Sequence, residues 1–379
     1  MNDPVRIASD LVRVPSENDK GEKDLTDLLS ALFKKNDIPC LLQDVAPDRR
    51  NLLAFIARPG ARRTILFDAH QDTVPAGKMT VPPFGGEIRG GKLWGRGACD
   101  VKGGMAAMIS ALFRLSAEKP KEAASVILSC TVDEEHAFGG VKRLLEGPWP
   151  IRTPDFAVTA EPTRLKIVIA HKGLAQWRIV TFGKSCHAAS PELGVNAIYQ
   201  ASAVIAALRQ YANDLQRSVP HPLLGYPTLS VGMVRGGTGV NIVPGSCELH
   251  IDRRLIPGET PLGAFEDCRR ELLSNLGKDF PLEWEEPWIS APPLNTSAGA
   301  EVSQVAMAAV SGVVGHTQPI GVPFFTNAST LSAGGIPSIV LGPGDIAQAH
   351  TEDEWIDVSE IRQAAEIYFR IMTSGGDTG

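Results

Sequence analysis

The sequence predicts an α/β protein, a mixed, mainly parallel sheet with helices on both faces, interrupted by a smaller α+β unit. Three observations predict it. Short apolar runs rich in β-branched residues alternate with helical patterns, as in layered α/β folds. Polar residues suited to catalysis fall just beyond the ends of those runs, where open α/β sheets build their sites. A central segment breaks the alternation, its strands coming two by two. At 379 residues the chain also exceeds the roughly 250–300 residues at which a single core stops growing. Two domains are therefore expected: 1–170 with 288–379, and an insertion at 171–287.

In chain order, "TILFDA" (64–69) reads as the first buried strand and "GGMAAMISALFRLSA" (103–117) as a helix. "SVILSCTV" (125–132) and "DFAVTA" (155–160) are two further strands. The insertion runs from "GLAQWRIVTFGKSCHAA" to "TLSVGMVRGGTGVNIVPGSCELHIDRRL", with one long helical stretch at 194–217 between strand pairs. The prolines of "EEPWISAPPLN" (285–295) mark a return linker. "PSIVL" (337–341) resumes the first pattern, and a helix over 358–373 closes it.

Composition narrows the function. Apolar residues make up 43% and charged residues 21%, as in ordinary globular proteins, and the net charge of −6 argues against a nucleic-acid binder, which usually carries a basic stripe. The N-terminal "MNDPVRIASDLVRVPSEN" lacks a signal-peptide core, and "EVSQVAMAAVSGVVG" falls short of the roughly 18–20 apolar residues of a membrane span. A cytoplasmic protein without membrane or nucleic-acid partners is expected. Six scattered cysteines without C-x-x-C spacing argue against a disulfide scaffold or a structural zinc knot.

The chemistry concentrates in "SCTVDEEHAFGG" (129–140), where Asp133, Glu134 and Glu135 follow a strand directly. Adjacent carboxylates repel, and burying them is costly unless something positive pairs with them. His70-Gln71-Asp72, Glu161 and His350 also follow strands, and Asp100 sits in "WGRGACDVKGG", whose glycines permit tight turns before a helix. Two histidines with several carboxylates suit Zn²⁺, and Co²⁺ or Mn²⁺ as well. The set is too large for one catalytic ion; two ions sharing a bridging carboxylate would fit.

In order and spacing, "HQDTVP", "GRGACDVKGG", "TVDEEHAFGG", "AEPT" and "GPGDIAQAHTEDEW" resemble the dinuclear zinc M20 metallopeptidases and deacylases. That family includes acetylornithine deacetylase, succinyl-diaminopimelate desuccinylase, aminoacylase and glutamate carboxypeptidases. The resemblance implies that His70 and Glu161 hold one metal, Glu135 and His350 the other, with Asp100 bridging. It makes Glu134 the general base and Asp72 the partner orienting His70. In the insertion, implied to be a ferredoxin-like dimerisation or lid domain, His187 matches a histidine that stabilises the oxyanion, commonly from the partner subunit of a homodimer. Asn241 matches an asparagine near the substrate, and Arg254 the arginine that binds a substrate carboxylate, a task suited to its planar fork.

Plainer readings compete at other positions. His136, His221, His250 and His316 match no family position and read as structural or surface residues. His171 stays open between hinge packing and substrate proximity. Asp133 reads as a brace for its turn, and Cys99 as a small buried filler. The C-terminal motif points to hydrolysis of a small N-acyl amino acid, as in acetylornithine deacetylase. A dipeptidase, carboxypeptidase or succinyl-diaminopimelate desuccinylase is the alternative, and a metal-dependent binding protein without hydrolysis a remote one. Asn327, in "FFTNASTL", replaces an aspartate common in the deacetylase branch, a loss of charge expected to alter which amine is accepted.

Overall fold

The computed structural model describes residues 3–374 in two compact units. The first comprises the described residues up to Ile169, Thr296–Ile320 and the described residues from Thr326 onward. Its sheet runs Cys40–Ala46, Arg49–Ile56, Ser125–Thr131, Thr64–His70, Phe156–Thr159, Ser338–Val340, then Val168 onward. The central four strands are parallel, and the flanking pairs are antiparallel.

Each central strand is buried on both faces, which explains its continuous apolar sequence. Alternate residues Ile65, Phe67 and Ala69 join the core formed with helices Gly103–Glu118 and Val358–Thr373. The Phe67 ring meets Tyr368 edge-on at 5.7 Å. The opposite face is covered by the short helices Gly139–Glu146 and Asn327–Ala333. Parallel register aligns His70 with Thr131, Asp68 with Thr159, and Val340 with Thr159. The strands therefore end together, and the segments leaving them meet at one edge.

The second unit, Ala170–Asn295 with Gly321–Phe325, is a four-stranded antiparallel sheet. Its order is Thr228–Gly236, Ser246–Leu255, Gly173–Phe182, Leu282–Ala291, with helices Ala197–Leu215 and Pro261–Leu276 packed on one face. This βαββαβ arrangement is ferredoxin-like. Two expectations change here. The second helix was not anticipated, although Thr260 caps it, accepting from the Gly263 N–H at 3.1 Å, and Ala264, Phe265, Cys268 and Leu272 give it a helical stripe. The segment read as a linker is largely strand Leu282–Ala291, so the unit extends to Asn295 rather than 287. Pro287 is tolerated because it lies on an edge strand where the register slips between Glu285 and Ile289.

Among the described residues, no helix is long and apolar enough to cross a membrane. Helix Glu301–Val314 contains the most apolar late stretch, and all six cysteines are free thiols.

Candidate metal centre

Strand ends of the first unit, the turn Ala98–Lys102 and the loop after Ile346–Gln348 bring together two donor sets. The ligand atoms of His70, Asp100 and Glu161 lie within 4.8 Å of one another, and so do those of Asp100, Glu135 and His350. Asp100 belongs to both and divides its oxygens between them: Oδ1 is 3.1 Å from His70 Nε2, and Oδ2 is 3.4 Å from His350 Nε2. His350 Nε2 also lies 3.0 Å from Glu135 Oε1, and His70 Nε2 3.9 Å from Glu161 Oε1. His70, Asp100 and Glu161 are buried, whereas the His350 side chain is half exposed.

The charges in this space do not balance unaided. Burial pushes the carboxyls of Glu134 and Glu161 well above the ordinary range, and neighbouring Asp100 and Glu135 push both further. Burial and then Asp100 raise Glu135 as well. Burial opposes the charge on Asp100, yet hydrogen bonds from His350 and His70 hold it below the usual range. Hydrogen bonds to Asp100 and to Glu135 push His350 up to about 10. Burial disfavours protonated His70, but Asp100, Glu134 and Glu161 outweigh it and raise its pKa. Left to itself the cluster is balanced by protons on groups that a divalent cation prefers deprotonated. Two neutral imidazoles and three carboxylates, one of which shares its two oxygens between the sets, fit two such cations.

Local structure orients these groups. His70 Nδ1 donates to the Asp72 carbonyl oxygen at 2.8 Å, leaving Nε2 for the donor cluster. The Asp72 carboxylate, expected to orient His70, is 3.8 Å from that nitrogen and instead accepts from the N–H groups of Glu134 (3.1 Å) and Glu135 (2.9 Å). Asp72 thus contacts His70 through its backbone and holds the acidic turn through its side chain. Asp133 braces that turn, taking Arg49 Nη1 at 2.9 Å and the Gly139 N–H at 3.0 Å. Before Asp100, Gly97 adopts φ 80°, and a Cβ there would meet Thr73 Cγ2 at 2.7 Å. Cys99 is fully buried, with its N–H donating to Glu354.

Glu354 was missed from the sequence. It is 1% exposed and accepts hydrogen bonds from Gly97, Cys99 and Asp100 N–H groups and from Arg96. Its position four residues after His350, inside the same acidic motif, was the available signal.

Asn327 requires a correction. It is buried, and its amide donates to Asp68 Oδ2 and Thr131 Oγ1, both at 3.1 Å. Asp68 also accepts from Ser129 Oγ at 2.6 Å. The asparagine therefore serves a buried carboxyl group across the sheet, one whose pKa burial raises against the hydrogen bonds from Ser129, Asn327 and Thr131.

The remaining candidates lie in the second unit. His187 and Asn241 are exposed on adjoining loops, joined by the Ala188 N–H donating to the Asn241 carbonyl at 3.0 Å. Arg254 is half-buried, with Nε and Nη2 on the Asp252 carboxylate at 2.8 and 3.2 Å, and its guanidinium is 6.0 Å from the Phe325 ring. His171 is fully buried, its Nδ1 donating to the Lys172 carbonyl at 2.9 Å, and burial lowers its pKa to about 4. These features favour packing for His171. His136 and His316 are exposed, and His250 packs edge-on against Trp288.

Comparison with known proteins gives a consistent result. Residues 66–374 match the model of peptidase family M20/M25/M40. The chain is 32% identical over 366 residues to an acetylornithine deacetylase of Pectobacterium atrosepticum, covering 93% of this chain and 91% of that one. Its fold is similar to an M20 family metallo-carboxypeptidase from Sulfolobus solfataricus, with a TM-score of 0.82, 19% identity and 99% of both chains covered. It is also similar to a dinuclear metal-binding M20 peptidase from Bacillus subtilis, with a TM-score of 0.74, 18% identity and 98% and 96% of the two chains covered.

Proposed function

Because the chain belongs to peptidase family M20/M25/M40, we propose that it is a metal-dependent hydrolase cleaving the amide bond of a small N-acyl amino acid, as an acetylornithine deacetylase does. The observation that carries this reading is the sharing of Asp100 between two complete donor sets. His70 and Glu161 would hold one cation, Glu135 and His350 the second, and Asp100 both. Zn²⁺ suits these donors best, with Co²⁺ or Mn²⁺ as substitutes. When bound, the cations supply Lewis acidity toward the acyl oxygen and make a nucleophilic water more acidic.

Glu134 is the remaining acid of the turn and belongs to neither donor set. It takes the proton of the attacking water and returns it to the departing amine nitrogen, a role suited to a carboxyl raised by burial. Asp72 fixes Glu134 and Glu135 through their backbone N–H groups, so base and ligand keep distinct places. His187 donates to the developing oxyanion, Arg254 takes the substrate carboxylate and Asn241 contacts the substrate. These three assignments rest on the resemblance.

The homodimer implied for the second unit is supported by its edge strand Thr228–Gly236, where Met233 and Val234 are 42% and 52% exposed. An open apolar edge of this kind invites pairing with a second copy.

A substrate panel tests the function. Metal-loaded protein is offered N-acetylornithine and other N-acetyl amino acids, N-succinyl-diaminopimelate and dipeptides. Preferential release of acetate is expected. Faster cleavage of the succinyl substrate or of dipeptides would move the chain to those activities, and binding without any cleavage would remove it from the hydrolases.

A further inference from the structure

We propose that Glu354, acting with Arg96, is a positioning residue that ties together the two segments carrying Asp100 and His350 and so sets the affinity of the Asp100–Glu135–His350 site. The proposal rests on the dinuclear reading above.

Glu354 Oε1 accepts the N–H groups of Cys99 at 2.8 Å and Asp100 at 3.0 Å, while Oε2 accepts Gly97 N–H at 2.9 Å and Arg96 Nη1 at 2.8 Å. A carboxylate offers about four acceptor positions, and all are taken by the single segment 96–100. Arg96, 3% exposed, then reaches back through Nη2 to the Thr351 carbonyl at 3.1 Å, next to His350. The chain of contacts is closed: Asp100 backbone, Glu354, Arg96, Thr351 and His350. A short ladder reinforces it, with strand Trp355–Asp357 pairing Lys92–Trp94 and Gly95 N–H donating to the Glu354 carbonyl at 3.0 Å.

The two donor sets depend on this clamp unequally. In the Asp100–Glu135–His350 set, two of the three ligands lie on clamped segments. In the His70–Asp100–Glu161 set only Asp100 does, while His70 ends strand Thr64–His70 and Glu161 follows Phe156–Thr159. A buried ion pair that merely supported the fold would not distinguish the sets.

The test uses full-length, metal-stripped protein titrated with Zn²⁺ against a chromophoric chelator, with circular dichroism to confirm folding. Glu354→Gln keeps the side chain's shape but turns one acceptor into an NH₂ group. It should bind one equivalent at wild-type affinity and the second about 10- to 100-fold more weakly, the usual effect of losing a group that supports metal ligands. Arg96→Gln, which keeps the three backbone bonds to Glu354 but cuts the tie to Thr351, should weaken the same equivalent by less. Unchanged affinities in both variants, equal weakening of both equivalents, or failure of both variants to fold would overturn the clamp. Wild-type protein taking up fewer than two equivalents would overturn the dinuclear reading itself, whereas failure of the clamp alone leaves wild type at two.

Discussion

Asn327→Asp places a second carboxyl against Asp68 in a region with almost no water: Asp68 is 0% and Asn327 2% exposed, and the contact spans 3.1 Å. If both carboxyls were ionised they would repel by roughly 5 kcal/mol at an effective dielectric of 20. Placing a proton on one of them at pH 7 instead costs about 4 kcal/mol, from three pH units at about 1.36 kcal/mol each. The protonated pair recovers a hydrogen bond worth about 1 kcal/mol, so protonation is the cheaper route and the net loss is about 3 kcal/mol. The sign with pH follows: the variant's folded state holds a proton that its unfolded state releases above about pH 4, so its deficit grows as pH rises from there through the pair's raised folded value. Urea unfolding followed by circular dichroism at pH 5.5 and 7.5 measures this, and adding Asp68→Asn should restore most of the loss. A single variant as stable as wild type at pH 7.5, or a double variant no better than the single, would refute this account of the pair.

Two further outcomes are expected. Glu135→Ala should lower metal content from two equivalents toward one by elemental analysis, because it removes a ligand from the half-exposed set while leaving His70, Asp100 and Glu161 intact. Arg254→Met should lower kcat/KM for N-acetylornithine by about 10- to 100-fold, the worth of a hydrogen bond to a charged group. The corresponding carboxamide should be affected little, and steady-state kinetics on the pair of substrates separates the cases.

Much of the first unit was legible because its strands are continuous apolar runs buried on both faces, and such runs end abruptly at polar residues. The same abruptness exposed His70, the acidic turn and Glu161 as candidates, while parallel register explains how distant residues meet. Helix Pro261–Leu276 was harder to see because "EDCRRE" places charges on most of its visible surface around a narrow stripe. The Leu282–Ala291 strand was disguised by Pro287, whose cost an edge position and a register slip absorb. Asn327 and Glu354 show a different limit. Their partners, Asp68 and the 96–100 segment, lie more than 250 positions away, so locally Asn327 reads as a substrate group and Glu354 draws no reading at all. Asp72 shows a third: the task expected of its carboxylate falls to its carbonyl, which no pattern of residue types records.

The measurement that bears most directly on the central claim is metal content and turnover of Glu134→Gln, measured on the same preparation. If two cations are held by the donor sets and Glu134 only moves the proton, the variant retains two equivalents per chain while kcat falls by about 10²- to 10⁴-fold. Near wild-type turnover with both metals bound, or loss of a metal together with activity, would contradict the division of labour assigned to Glu134 and Glu135.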